Sequence, residues 1–218
     1  MKLTDEHGLQ AVALRGRQSS PEPVHEVPGS GGLWGLHVRD VPHKGKGVFA
    51  GVNIPAGSDV FRFAGPVFTT AMCPNFDESI QVDIDTWMWS SGGIDDLINH
   101  SCAPNAGLRT QLDGLWVVSL RDIPEGAEIT YDYSTAMLDD PSDPPMACAC
   151  GETCCRGVVV NFHELRTEHQ QHYAFLGALP AFIRGAAIAR GIDLPSPRAP
   201  PKSESQPSRR HGPPDLSG

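Results

Sequence analysis

Asn99-His100-Ser101-Cys102-Ala103-Pro104-Asn105 is the stretch on which the reading of this chain turns. It combines amide and imidazole hydrogen-bonding groups with a thiol and a bend fixed by proline. A lone Asn-His pair is ordinarily a capped turn. Two later stretches change that reading. Glu128-Ile129-Thr130-Tyr131-Asp132-Tyr133 is a β-like run closing on two tyrosines, and Cys148-Ala149-Cys150 with Cys154-Cys155 holds four of the 6 cysteines. Thiols so closely spaced suit a metal better than pairwise bridging, and they can wrap a tetrahedral Zn²⁺. Cys148, Cys150 and Cys155 are plausible partners, with Cys154, His163 or the distant Cys102 as the fourth. Four thiolates leave no open coordination position, so such an ion serves architecture rather than chemistry.

Upstream, Lys44-Gly45-Lys46-Gly47 precedes an apolar run. Glycines let backbone approach a ligand closely, but the rest of a dinucleotide fingerprint is missing, and in isolation this is a tight turn. Four pieces in order carry a resemblance: Gly45-Lys46-Gly47, Asn99 to Asn105, Gly126-Ala127-Glu128-Ile129-Thr130-Tyr131-Asp132-Tyr133, and Cys148-x-Cys150-Gly-x-x-x-Cys155-Arg156-Gly157. Together they resemble the SET-domain lysine methyltransferase family with its post-SET zinc segment, over about Gly35 to Val160.

The resemblance implies a mainly β (α+β) fold of small curved β-sheets, with a pseudoknot near Asn99 to Asn105, a post-SET zinc segment and C-terminal helices. General connection rules would not lead to a pseudoknot. It implies S-adenosylmethionine as cofactor and a protein lysine as acceptor, on a histone tail or another basic protein. By position, Lys46 and Gly47 cradle the methionine part of the cofactor, and Asn99 and His100 contact its amino-acid and adenosine portions. Tyr133 becomes the catalytic tyrosine, its hydroxyl orienting the amine or the cofactor. Tyr131 shapes the lysine channel, where a tyrosine favours mono- or dimethyl products. Zn²⁺ falls to Cys102, Cys148, Cys150 and Cys155, leaving Cys154 and Cys73 spare. Two departures stand out: Pro66 follows Gly65 where Gly-Glu is usual, and Asp96-Leu97-Ile98 precede Asn99 where an Arg-Phe pair is usual. They admit an alternative, a catalytically inactive SET fold acting as a zinc-stabilised protein-binding module.

Methyl transfer requires a neutral amine, whereas free lysine, with a pKa of roughly 10.4, is protonated at neutral pH. Burial in an apolar channel beside a positive sulfur lowers that pKa, so no dedicated base is needed.

The remaining organisation follows from patterning. Pro21, Pro23, Pro28 and Gly29-Ser30-Gly31-Gly32 suggest a flexible leader over 1–30, ahead of a SET domain over 33–140 and a zinc segment over 146–160. Leu36 to Val38, Gly47 to Ala50, Val60 to Phe63, Leu115 to Leu120 and Glu128 to Tyr133 read as strands. Asn53-Ile54-Pro55-Ala56-Gly57 and Asp122-Ile123-Pro124-Glu125-Gly126 are chemically similar turns. Phe76 to Ile98, with Trp87 and Trp89 amid acids, fits a strand pair or a short helix. A helical extension is expected over 161–192, divided by Pro180 in the first turn of its second helix, with a disordered tail over 193–218.

Length and composition bound the rest. With 218 residues, one domain with tails is expected, and 23 Gly, 20 Pro and 39% hydrophobic residues favour many short elements. Residues 31–160 hold 7 Lys and Arg against 17 Asp and Glu, so the core repels phosphate backbones and draws Lys/Arg-rich protein segments. Direct nucleic-acid binding by the core and membrane spanning are not expected. The clustered thiols point to a reducing, intracellular setting, nuclear or cytoplasmic.

Overall fold

Brief apolar runs between Gly, Pro and Asn residues become short strands throughout the computed structural model, which describes residues 34–139 and 146–198. The expected leader lies outside the described residues, as does the tail beyond residue 198. In chain order the strands are β1 (His37–Val41), β2 (Gly45–Phe49), β3 (Asp59–Arg62), β4 (Val67–Thr69), β5 (Ser79–Asp83), β6 (Thr86–Trp89), β7 (Asn99–His100), β8 (Ala106–Gln111), β9 (Gly114–Ser119) and β10 (Glu128–Tyr131). Two helices follow, α1 (Thr167–Leu176) and α2 (Ala181–Ala189).

The strands form three small sheets, ordered β1-β2-β10-β7, β3-β9-β8 and β4-β6-β5. Most pairs are antiparallel, as adjacent hairpins require. The exception places the functional stretch: β7 runs parallel to β10, with Thr130 opposite Asn99 and Tyr131 opposite His100. Asn105 extends this contact with its side chain, donating to Glu128 O (2.8 Å) and accepting from Thr130 N (3.0 Å). Residues 99–105 are thus stitched to β10 from both ends, where the pseudoknot was expected.

The two chemically similar turns pair with each other. Ile54 and Ile123 exchange backbone hydrogen bonds of 2.8 and 2.9 Å. Asn53 accepts from Glu125 N (2.9 Å), and Asp122 accepts from Ala56 N (2.8 Å). Each turn therefore has its backbone satisfied by the Asx side chain of the other.

One apolar core lies under the sheets, built on Val48, Ile54, Phe61, Leu108, Val117 and Ile129. A second surrounds the helices, with Phe162, Tyr173, Ala174, Ile183 and Ala187 packed around Leu138. The two bodies meet at Gly107 of β8, where an added Cβ would stand 2.6 Å from Ala178 Cβ. Only glycine permits that approach.

Several expectations need correction. Strand β10 ends at Tyr131, and Tyr133 opens a 3₁₀ turn, Tyr133–Ala136, capped by Asp132. Pro180 is the residue before α2 rather than a member of its first turn, and Asn161 to Arg166 lie ahead of α1 in a separate 3₁₀ turn and its flanks. Phe76 to Ile98, whose sequence fits a strand pair or a short helix, holds the strand pair, β5 and β6, flanked by the 3₁₀ turns Phe76–Glu78 and Ile94–Leu97. Asp193 to Arg198, assigned by composition to the disordered tail, are held in place: Arg198 N donates to Phe175 O (2.7 Å) and Arg184 Nη2 to Pro195 O (2.5 Å). At the Pro66 departure, Pro66 O accepts from Trp89 N (2.9 Å), so the residue opens the β4–β6 pairing, where its missing N–H is harmless.

Candidate active site and metal centre

The break after β10 sets the geometry of the tyrosines. Asp132 leaves the strand, accepts from Ser134 N (3.1 Å) and turns the chain so that the Tyr131 and Tyr133 rings lie 4.9 Å apart at 43°. Tyr133 Oη donates to Ile98 O at 2.8 Å. Its proton is therefore committed, and its lone pairs remain for another donor. Burial, with Glu128 adding, pushes the Tyr133 phenol up to about 12. Burial also holds the Tyr131 phenol well above its ordinary value, with Tyr133 and Asp132 reinforcing it. Both side chains are neutral hydroxyls at physiological pH, so they orient rather than abstract protons.

Asp132 lies between them in sequence but faces away. It is 1% exposed; Oδ1 accepts from Arg156 Nη2 (2.7 Å) and Oδ2 from Tyr173 Oη (2.8 Å). This carboxylate joins the tyrosine turn, the cysteine segment and α1, a structural role.

Gly45-Lys46-Gly47, expected as a tight turn, opens strand β2 instead, and there Asn99 Nδ2 donates to Lys46 O (2.9 Å) and to Glu128 Oε1 (2.7 Å). Glu128 Oε2 meets Lys44 Nζ at 3.2 Å. The side chain of Lys46 is exposed, so Lys46 contributes its backbone here, whereas Lys44 supplies the charge. A Cβ at Gly47 would lie 2.7 Å from Glu128 Oε1 and from Val41 Cγ2, and 2.9 Å from Asn99 Nδ2, which explains the glycine. The Lys44–Glu128 pair was not singled out from sequence, because 84 residues separate its members.

His100 sits behind this corner. Its Nδ1 accepts from Tyr133 N (3.2 Å) and its Nε2 lies 3.4 Å from Cys102 Sγ. Burial lowers its pKa to about 4 against the opposing pull of Asp132, so the ring is neutral.

The cysteines converge from two distant segments. Cys102 Sγ is 3.8 Å from Cys148 Sγ, which is 3.6 Å from Cys155 Sγ. The ligand atoms of His100, Cys102, Cys148 and Cys150 all lie within 4.8 Å of one another. A tetrahedral ion with Zn–S of roughly 2.3 Å spaces its sulfurs roughly 3.8 Å apart, close to these separations. Backbone N–H groups point at the sulfurs, as thiolates require: Arg156 N at Cys102 (3.4 Å) and Gly157 N at Cys155 (3.4 Å). Burial pushes the Cys102 thiol up to about 11. Burial also raises Cys150, but the N–H groups of Cys102 and Glu152 outweigh it and bring that thiol down to about 7. Burial likewise raises the Cys148 thiol; it is the sulfur spacing and the amide donors that fit a thiolate-bound dication. Five donors, one of them His100, compete for four positions. Cys154 is exposed with its sulfur toward Cys102 O (3.7 Å), and Cys73 lies beside Ser79, apart from the cluster.

A cavity of about 520 Å³ opens over the tyrosines, lined by Phe63, Phe76, Trp87, Trp89, Ile98, Tyr131 and Tyr133 among others. Asp77, Glu78, Asp95, Asp96 and Glu164 also line it, with no Lys, Arg or His in the lining. None of these five carboxylates forms an ion pair among the described residues.

Residues 45–134 match the family model described as SET domain. This stretch is a SET domain. The match ends at residue 134, so the cysteine segment rests on the geometry given above. A histone-lysine N-methyltransferase from Arabidopsis thaliana, ATX2, is 31% identical over 133 residues, covering 53% of this chain and 12% of the relative. An H3 lysine-4 specific histone-lysine N-methyltransferase of Aspergillus oryzae is 43% identical over 70 residues, 30% of this chain and 6% of the relative. The chain thus spans a small part of the length of these relatives. Among solved structures, KRYPTONITE in complex with mCHG DNA and SAH superposes with a TM-score of 0.52 at 26% identity, over 59% of this chain and 29% of that one. SUVH6 of Arabidopsis thaliana in complex with SAM shares the fold at 18% identity, with a TM-score of 0.52 over 59% of this chain and 33% of that one. No helix among the described residues is long and apolar enough to cross a membrane.

Proposed function

We propose that this SET domain transfers methyl groups from S-adenosylmethionine to a lysine of a basic protein, with Zn²⁺ as a structural ion. The observation that carries the reading is the cavity, whose lining includes two neutral tyrosines, other aromatic side chains, and five carboxylates without a compensating base among the described residues. Such a pocket favours a cationic side chain entering an apolar channel. Histone tails have that chemistry, and the named relatives are histone-lysine methyltransferases. A nuclear site of action goes with that substrate.

When bound, the cofactor supplies an electrophilic methyl group on a positive sulfur. Lys44, Gly47, Asn99, Glu128 and the Lys46 backbone would hold it, with Glu128 and Lys44 matching the opposite charges of an amino-acid end. His100 belongs to the same corner. The walls around Tyr131 and Tyr133 exclude water, which lowers the pKa of an entering lysine ammonium. Tyr133 accepts from the amine through the oxygen whose proton Ile98 O holds. The Tyr131 hydroxyl narrows the channel, favouring mono- and dimethyl products. Cys102, Cys148, Cys150 and Cys155 bind the ion.

The test is transfer of labelled methyl from S-adenosylmethionine to a panel of histones and other basic proteins. Tyr133→Phe is expected to lower kcat by roughly 10²-fold or more, the scale for losing one oriented polar group at a reacting centre. Binding of S-adenosylhomocysteine without turnover on any substrate would move the assignment to a protein-binding SET module.

A further inference from the structure

The fourth coordination position is contested by His100 and Cys155, and the proton inventory of the imidazole decides between them. His100 Nδ1 accepts the Tyr133 N–H at 3.2 Å, so that nitrogen must hold a lone pair. The ring carries one proton, which is then on Nε2. Nε2 faces Cys102 Sγ at 3.4 Å, and an N–H in that position donates to a thiolate; it has no lone pair for a metal. Ligation through Nε2 would move the proton to Nδ1, donor against donor with the Tyr133 amide. Asp132 Oδ1, at 3.5 Å, is already taken by Arg156 and Ser134. Cys155, by contrast, lies 3.6 Å from Cys148 Sγ and receives the Gly157 amide as a thiolate would.

We infer that His100 is a positioning residue, a tautomer-fixed bridge that donates from Nε2 to the metal-bound thiolate of Cys102 and accepts from the Tyr133 amide through Nδ1. This rests on the zinc reading above. The bridge links the ion to the catalytic turn in two hydrogen bonds. Cys102 thereby receives a second donor beside Arg156 N, and each added donor draws charge from the sulfur and fixes its direction. The tyrosine backbone and the zinc thiolate are then ordered together.

The test uses the full chain loaded with cobalt(II) or with zinc. Wild type is expected to show the absorption spectrum of a four-thiolate cobalt(II) site. His100→Ala should keep that spectrum and the one-ion stoichiometry, while Cys155→Ser changes the spectrum. Zinc transfer from His100→Ala to a chromophoric chelator should run roughly 10–100-fold faster, the usual cost of losing a hydrogen bond to a ligand. Nitrogen NMR of the zinc-loaded wild type, which requires no variant to fold, should report the Nε2–H tautomer. A three-thiolate, one-nitrogen spectrum in wild type, an Nδ1–H tautomer, or zinc release from His100→Ala at the wild-type rate each overturns the inference. Failure of the wild-type chain to take up either metal overturns the zinc reading instead.

Discussion

Replacing Tyr173 by phenylalanine removes one oxygen from the molecule, and the network around Asp132 sets the cost. Asp132 is 1% exposed, and its Oδ2 receives the Tyr173 hydroxyl at 2.8 Å. Oδ1 is shared by Arg156 Nη2 and Ser134 N, so Tyr173 is the side-chain donor to Oδ2. Hydrogen bonds to charged groups contribute about 1.5–3 kcal/mol, and a buried acceptor left unpaired costs on that scale. Phenylalanine at this site recovers a little through its lower desolvation cost, so a net loss of about 2 kcal/mol is expected. For a domain of this size each kcal/mol moves Tm by roughly 2–4 °C, giving a fall of about 4–8 °C. Thermal and urea unfolding of the zinc-loaded chain would measure it, with exposed Phe175→Ser as a control expected within about 0.5 kcal/mol. A loss below about 0.5 kcal/mol in Tyr173→Phe would refute the reasoning, because Asp132 would then have another partner.

Alkaline solution should weaken the fold as pH rises above the ordinary tyrosine range. The folded Tyr133 pKa of about 12 lies above its unfolded value of 10.0, so this group's contribution is intact below pH 10 and is lost as pH rises towards 12. The full loss is about 3 kcal/mol, and Tyr131 shifts in the same direction. Unfolding at stepped pH checks it, and Tyr133→Phe should flatten the slope. Gly47→Ala places a methyl 2.7 Å from Glu128 Oε1 and Val41 Cγ2, so it should weaken S-adenosylhomocysteine binding in calorimetry and destabilise by about 1–3 kcal/mol; unchanged affinity would detach this corner from the cofactor. Chelation should release one zinc per chain and expose residues 146–157 to proteolysis, since the sulfurs and Arg156 hold that segment against Cys102 and Asp132.

What the sequence discloses follows the range of the interaction concerned. Brief apolar runs bounded by turn residues, such as Leu115 to Leu120, could be found locally, as could the similar turns with their Asx, Pro and Gly residues. Strand β8 could not, because its form comes from pairing along β9, and Gly107, kept small by Ala178, breaks the apolar run of Ala106-Gly107-Leu108. The β5–β6 hairpin is obscured by a register shift between Gln81 and Asp83, which breaks the two-residue period. Asp193 to Arg198 look like a tail by composition. Their order comes from hydrogen bonds to Phe175 and Arg184, partners that no local pattern indicates. In the site, the clustered thiols announce a metal because their chemistry is concentrated in sequence. The roles of Lys44 with Glu128, and of Arg156 and Tyr173 with Asp132, depend on pairs 84, 24 and 41 residues apart.

Asp132 also separates the extent of sequence similarity from the extent of the physical unit. The matched stretch closes at residue 134, and within it the Ser134 amide donates to this carboxylate while the nearby His100 Nδ1 is occupied by Tyr133. The two side-chain donors, Arg156 and Tyr173, lie beyond that limit. Without them this carboxylate, 1% exposed, would keep one amide donor for two buried oxygens, so the turn that carries Tyr133 draws its support from both later segments. Arg156 comes with the cysteines and Tyr173 with α1. The cysteine segment and the helical extension are therefore parts of the tyrosine turn's own support, and a SET core cut at its similarity boundary would carry Tyr133 on an unsupported loop.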